Sequence, residues 1–270
     1  MSQAVDWNLR MVGASSGMPL GFIAELWRPI EAWPGIGNIA ERARARGRSP
    51  DGFDLRKATS RALLVETVNA AQAVMYTVDK IETLVSEVQA WVEEAVPPIG
   101  PDEEAPLYGR GVGHPNLTCA SWEFANLLAW LRTLEERIER PAYRAEGRAG
   151  LLPMLNPLHP ITPNVRSLVE ALRSGALGDR RLTNLVLHNE VVPSPHQGAR
   201  LTNDSRVVVR IPDRLEERVD LALELSYGED RELLALAQRV ADDVGQFVDG
   251  LLGEFEVANE MRNRGEIPPH

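Results

Sequence analysis

Between residues 55 and 96 the apolar positions recur at intervals of three and four. Leu64, Val68, Ala71, Met75, Val78, Val85, Val88 and Val92 form one stripe, broken only at the Glu82 step. An α-helix turns once in about 3.6 residues, so this spacing predicts one long amphipathic helix from about Leu55 to Val96. Pro97 and Pro98 remove backbone donors and end it. A second stripe, Phe124, Leu127, Leu128, Leu131, Leu134 and Ile138, predicts a helix from about Thr118 to Arg140, stopped by Pro141. A third opens with Thr162 as N-cap and Pro163 in the first helical position, then carries Val165, Leu168, Val169 and Leu172 to a terminating Gly175. A fourth is expected from near Asp179 to Val192, before Pro193. The last begins at the capping-box signature Ser226-Tyr227-Gly228-Glu229 and carries Leu233, Ala237, Val240, Val244, Phe247, Leu251 and Phe255.

The texture changes between Ala199 and Ile211. There Val207, Val208 and Val209 follow the turn-prone Asn203-Asp204-Ser205, which predicts a small β-hairpin. Residues 1–54 contain Pro19, Pro29, Pro34, Pro50 and several glycines. They read as an irregular segment whose short apolar stretch, Phe22 to Trp27, docks on the body. The expected fold is therefore mainly all-α: an antiparallel helical bundle over residues 55–263 with a β-hairpin insertion, and a tail at 264–270.

Hydrophobic residues at 44% and charged residues at 25% are ordinary globular values and exclude a wholly disordered or fibrous chain. A formal charge of −10 argues against broad, non-specific nucleic-acid binding, which needs positive surface, but leaves room for a local basic pocket. The run Glu41 to Arg48 is locally basic and reads as a solvated turn or helix end, with an RNA-touching tail as the alternative. Lysine occurs only at positions 57 and 80; the other basic residues are arginines, which suit bidentate phosphate contacts. The single cysteine, Cys119, excludes an intrachain disulfide or a thiolate metal cluster, and reads as a small buried residue. Trp122, Trp130 and Met75 read as packing residues. Met1 to Leu20 shows no secretory pattern and no apolar run is long enough to cross a bilayer, so a cytoplasmic protein without a membrane partner is expected.

The sharpest chemical constellation lies on the expected fourth helix. Arg181 and His188 are seven residues apart, almost two full turns, and Asn184 lies between them. On a helix the three form one polar ridge, while Leu182, Leu185 and Val186 supply an apolar face. A histidine titrates near neutrality and can take a proton from a ribose 2′-hydroxyl. An arginine can stabilise charge building on a phosphate, and an asparagine can orient either group.

In Arg181, His188 and the helices around them the chain resembles the HEPN superfamily of helical ribonucleases and RNA-binding proteins. That family's hallmark is an arginine followed after four to six residues by a histidine, near the end of an inner helix of a small bundle. The resemblance implies a metal-independent endoribonuclease, or an inactive RNA-binding relative, with Arg181 and His188 paired across a homodimer. It also implies a role in toxin–antitoxin or antiviral defence. The position after the family's arginine is usually polar, but here it is Leu182, so Asn184 would have to serve in its place.

Other motifs carry less. Gly13-Ala14-Ser15-Ser16-Gly17 fits a nucleophile elbow, but no strands are expected around it. Gly109 to Gly113 lacks both the leading strand and the lysine of a phosphate loop. His114, His159 and His196 sit beside prolines in loops, without metal-site spacing, and Glu135/Glu136 and Asp242/Asp243 are expected on solvent faces. No cofactor or metal is expected. The expected partners are RNA and a protein partner, and the alternative to an enzyme is a non-catalytic helical scaffold that binds proteins.

Overall fold

The computed structural model describes residues 2–12, 23–29, 52–96, 105–107, 113–140, 149–177, 199–202, 205–211 and 232–266, with isolated positions 41, 44 and 45. The fold is all-α with a small antiparallel hairpin: helices take up 77% of the interpretable residues. In chain order the elements are α1 (Ser2–Val12), a 3-10 turn (Ala24–Leu26), α2 (Gly52–Ala95) and β1 (Ala105–Pro106). There follow α3 (Pro115–Glu139), the single turn α4 (Leu151–Met154), α5 (Thr162–Ser174), β2 (Ala199–Leu201), β3 (Val207–Val209) and α6 (Leu233–Asn263).

The three long helices share one repeat. In α2 the buried positions include Ser60, Leu64, Thr67, Ala71, Val74, Val78, Ile81, Val85, Val88 and Val92, in alternating steps of four and three, with Val68, Ala70 and Thr77 buried beside them. In α3 the same steps run through Leu117, Ala120, Phe124, Leu127, Leu131, Leu134 and Ile138, flanked by Ser121 and Leu128; in α6 they run through Leu233, Ala237, Val240, Val244, Phe247 and Leu251. A mean spacing of 3.5 residues is the heptad of coiled-coil packing, in which each seam residue seats between four on a facing helix. It also explains where the sequence stripe broke: Ile81, not the Glu82 step, carries the seam, and Val74 displaces Met75, which is only half-buried. The buried Thr67 hydroxyl donates to the Leu63 carbonyl 2.8 Å away, so the seam tolerates it.

The chain divides into two compact units, one of Met1–Ala73, Arg132–Leu177 and Asp243–His270, the other of Val74–Leu131 and Gly178–Asp242. Each long helix gives one stretch to each unit.

In the first unit residues 1–54 are not irregular throughout, because Ser2–Val12 is the helix α1. Its Trp7 is fully buried and its indole N–H donates to Asp249 Oδ1 at 2.8 Å. Arg10 closes the contact by donating to Asp249 Oδ1 at 3.1 Å and, with Nε and Nη2, to the two oxygens of Glu256 at 2.8 and 3.1 Å. The Glu256 hydrogen bonds hold the Arg10 guanidinium above its ordinary pKa. Ile23, Leu26 and Trp27 are also buried, and the Trp27 ring lies 6.0 Å from Phe255 of α6. The helix α5 begins at Thr162 itself, with Ile161 at the cap position, so Thr162 is not the N-cap. Its hydroxyl donates instead to the Asn156 carbonyl at 2.7 Å. Leu168 packs on Gly250, where a Cβ would come within 2.7 Å of Leu168 Cδ2, and Asn164 donates to Glu254. Stepping back along α5 thus means stepping forward along α6, and the pair is antiparallel. Gly250 is what lets them approach closely.

In the second unit Asn116 donates to Glu87, and the Trp91 ring lies 5.2 Å from His114. Advancing along α2 while the partner retreats in the chain makes α2 and α3 antiparallel too. Gln238 of α6 donates to Glu82 of α2 at 3.1 Å. The hairpin pairs Ala199 with Val209, Arg200 with Val208 and Leu201 with Val207, and β1 adds to the other side of β2. Gln89 of α2 anchors it. The Val207 N–H donates to Gln89 Oε1 at 2.7 Å, and Gln89 Nε2 donates to the Ser205 carbonyl at 2.9 Å. A side-chain amide here does the work of a neighbouring strand.

Leu131 and Phe247 are seam residues with 2% exposure each, and truncating either leaves a cavity in a close-packed layer. Leu131→Ala and Phe247→Ala should each lower the unfolding free energy by about 2–5 kcal/mol in chemical denaturation. A loss of only a few tenths would mean that the seam is not packed as described.

Candidate functional site

Arg181, Asn184 and His188 lie outside the described residues, as do the Gly13–Gly17 stretch, His196 and the capping box at Ser226–Glu229. Arg264, which shares the motif spacing with His270, is exposed and ion-paired with Glu266 at 3.1 Å. His114 stands just before α3, where its Nδ1 accepts the Asn116 N–H at 3.2 Å. Among the described residues no group of three or more His, Cys, Asp or Glu is placed to hold a metal ion.

Two readings of α3 change. Cys119 is half-buried rather than buried, and Trp122 and Trp130 are exposed, at 58% and 41%, rather than packed. Once Leu117, Phe124 and Leu131 face inward, a rotation of about 100° per residue leaves position 122 on the far side of the helix and position 130 on its flank. Glu135 and Glu136 pair with Arg132 in local ion pairs along α3, and Asp243 lies against Gly175.

The strongest buried polar cluster among the described residues was not visible as such in the sequence. It belongs to the first unit. The strap of residues 23–28 runs alongside residues 154–156. The Asn156 N–H donates to the Leu26 carbonyl at 2.7 Å, the Arg28 N–H to the Met154 carbonyl at 3.0 Å, and Asn156 Nδ2 to the Glu25 carbonyl at 2.9 Å. Asn156 also starts the next turn, because its Oδ1 accepts the Leu158 N–H and its carbonyl accepts the His159 N–H. That turn tucks His159 inward to 3% exposure.

The ring has one satisfied side. Nδ1 accepts the Ile161 N–H at 3.4 Å, which assigns the proton of the neutral ring to Nε2. Nε2 itself finds no hydrogen-bond partner. Nearby Glu25, with 5% exposure, lies with Oε2 4.0 Å from Arg262 Nε. Burial pulls the His159 pKa below its ordinary value, and the Glu25 charge opposes that only in part. Sealed from solvent, this ring cannot meet a substrate. Burial disfavours its charged form, so protonation opposes the folded state. One sequence signal could have pointed to the cluster: Glu25 is a lone acid inside an apolar docking segment. Nothing in Leu158-His159-Pro160 announces burial.

The direction of the shift fixes a pH dependence. In the unfolded chain His159 takes up its proton near pH 6.5, whereas the folded chain resists protonation until lower pH. The stability is therefore fully present above about pH 6.5 and falls as the pH drops through the window down to the folded value. The melting temperature of His159→Gln, measured between neutral and mildly acidic pH, should fall less steeply than that of the native chain. Parallel profiles would show that His159 is not the group involved.

No protein-family model, curated protein or solved structure matches the chain. Its function has to be argued from its own residues.

Proposed function

We propose that the protein acts on RNA as a HEPN-like, metal-independent endoribonuclease or an RNA-binding relative of one. The observation that carries this reading is the spacing of Arg181, Asn184 and His188 in the sequence, which on the expected helix would bring a proton acceptor, a phosphate-binding cation and an orienting amide to one face. One further feature supports it: the fold class is a helical bundle, as the resemblance requires.

In this reading neutral His188 removes the proton of a ribose 2′-hydroxyl. The freed oxygen attacks the adjacent phosphorus, and the bond to the 5′-oxygen breaks, that oxygen taking a proton from solvent. Arg181 stabilises the charge that builds on the phosphoryl oxygens, and Asn184 positions the pair. The products are a 2′,3′-cyclic phosphate and a 5′-hydroxyl. A role in toxin–antitoxin or antiviral defence belongs to the same reading, as does a cytoplasmic site of action.

The test is cleavage of labelled RNA by the full chain. His188→Ala and Arg181→Ala should each lower the rate by at least 100-fold, a loss on the order of that for a general base or a charge-stabilising donor. Helicity and melting should be almost unchanged. Asn184→Ala should lose less, chelators should have no effect, and DNA, which lacks the 2′-hydroxyl, should be left intact. Arg264→Ala, at the same motif spacing in the tail, serves as the control. If the native chain neither cleaves nor binds RNA, or if His188→Ala unfolds it, the ridge is structural and the chain is a scaffold.

A further inference from the structure

We infer that the turn Asn156–Ile161 is an acid-operated latch: on gaining a proton, His159 swings out of its buried seat beside the strap of residues 23–28, and the turn opens while the long helices stay folded. The inference is independent of the RNA reading and lies wholly within the first unit.

The first observation is a count of donors and acceptors. The neutral ring lends its Nδ1 lone pair to the Ile161 N–H at 3.4 Å, and both residues are buried. A protonated imidazole carries a hydrogen on each nitrogen and has no lone pair to lend. The charged ring therefore sets one N–H against another at Nδ1, and at Nε2 it has no hydrogen-bond partner either. It cannot keep this seat.

The second observation is the set of charges around the ring. Glu25 of the strap is the charge that acts on it, and burial outweighs that attraction. Glu25 Oε2 also lies 4.0 Å from Arg262 Nε of α6, a cation that would repel an imidazolium. Arg28, the other charged residue of the strap, points its Nε to the Leu155 carbonyl at 3.3 Å.

The third observation is how the turn is hung. Asn156 carries it: Oδ1 accepts the Leu158 N–H at 3.1 Å, and the carbonyl accepts the His159 N–H at 3.1 Å. Pro157 and Pro160 have no N–H to lose, and Leu158 is already 89% exposed. Opening the turn therefore uncovers little beyond the ring itself. The strap has separate anchors in the Asn156 N–H to the Leu26 carbonyl, the Arg28 N–H to the Met154 carbonyl, and the buried Leu26 and Trp27 side chains. The ring can leave without the strap or the helices following.

The test is solution NMR of the full chain from about pH 7.5 to about pH 5, a window that spans the ordinary histidine value and extends below it. The His159 ring and the Ile161 amide should titrate together with a midpoint below about pH 6.5. Helical circular dichroism and the Leu131 and Phe247 amide signals should hold. A soluble paramagnetic agent should broaden the His159 Hε1 signal at the acid end and leave it sharp at the neutral end. His159→Asn keeps an acceptor near the Nδ1 position but cannot charge, so its Ile161 signal should not respond to pH. Glu25→Gln removes the attraction that favours the charged ring, so the midpoint should move to lower pH. That variant decides the matter should His159→Asn fail to fold. The proposal is overturned by a ring that stays neutral until the helices unfold, or by one that titrates while shielded from the agent. An Ile161 signal that still titrates in His159→Asn, or a midpoint that Glu25→Gln fails to lower, overturns it equally.

Discussion

The interaction on which the rest of this structure depends is the 3.5-residue seam shared by α2, α3 and α6. Aliphatic residues in alternating steps of three and four cannot be hidden by one helix alone, so each long helix is stable only against the others. The seam fixes the rotation of every helix about its own axis. From that rotation follow the burial of Val74 in place of Met75 and of Ile81 at the Glu82 step, the anchoring position of Gln89 and the exposure of Trp122 and Trp130. Small or hydroxylated seam residues, Ser60, Thr67 and Ala71, set the local thickness of the layer, and Thr67 satisfies its own hydroxyl within the helix.

Within the first unit α6 departs from the simple repeat. After Leu251 the buried position shifts by four to Phe255, and Val248 and Leu252 are buried beside the seam. The extra burial has identifiable partners. Trp7 and Arg10 of α1 engage Asp249 and Glu256, Trp27 reaches Phe255, and Leu168 of α5 sits on Gly250. This part of α6 is covered on several sides, and its half-exposed Asp249 and Glu256 also anchor α1. The strap of residues 23–28 has a weaker point in the polar pair Glu25 and His159. There one ring nitrogen and one carboxylate oxygen are buried without hydrogen bonds, and burial holds the ring neutral.

The second unit turns its chemistry outward. Its hairpin is tied to α2 by a side-chain amide, its arginines lie on β2 and around β3, and α3 presents an almost uncharged aromatic face.

Much of the fold was legible in the sequence because its signals are local. Pro97 after α2 and Gly175 after α5 mark helix ends through backbone chemistry that needs no neighbours. The apolar stripes named most of the buried residues of α2, α3 and α6, and the valine run with its turn named the hairpin. Two things were decided only by tertiary structure. The helix α1 is held by contacts to Asp249 and Glu256, more than two hundred positions away in the chain, which no local signal announces. The inward side of His159 depends on a turn built by Asn156, and its neutrality depends on what surrounds it. The outward side of Trp122 and Trp130, by contrast, was already implied by the stripe, since at about 100° per residue position 122 lies well away from Phe124 and Leu127 and position 130 on the flank. The sequence alone proposed the arginine–histidine ridge, since a spacing of seven places two side chains on one helical face whatever surrounds them.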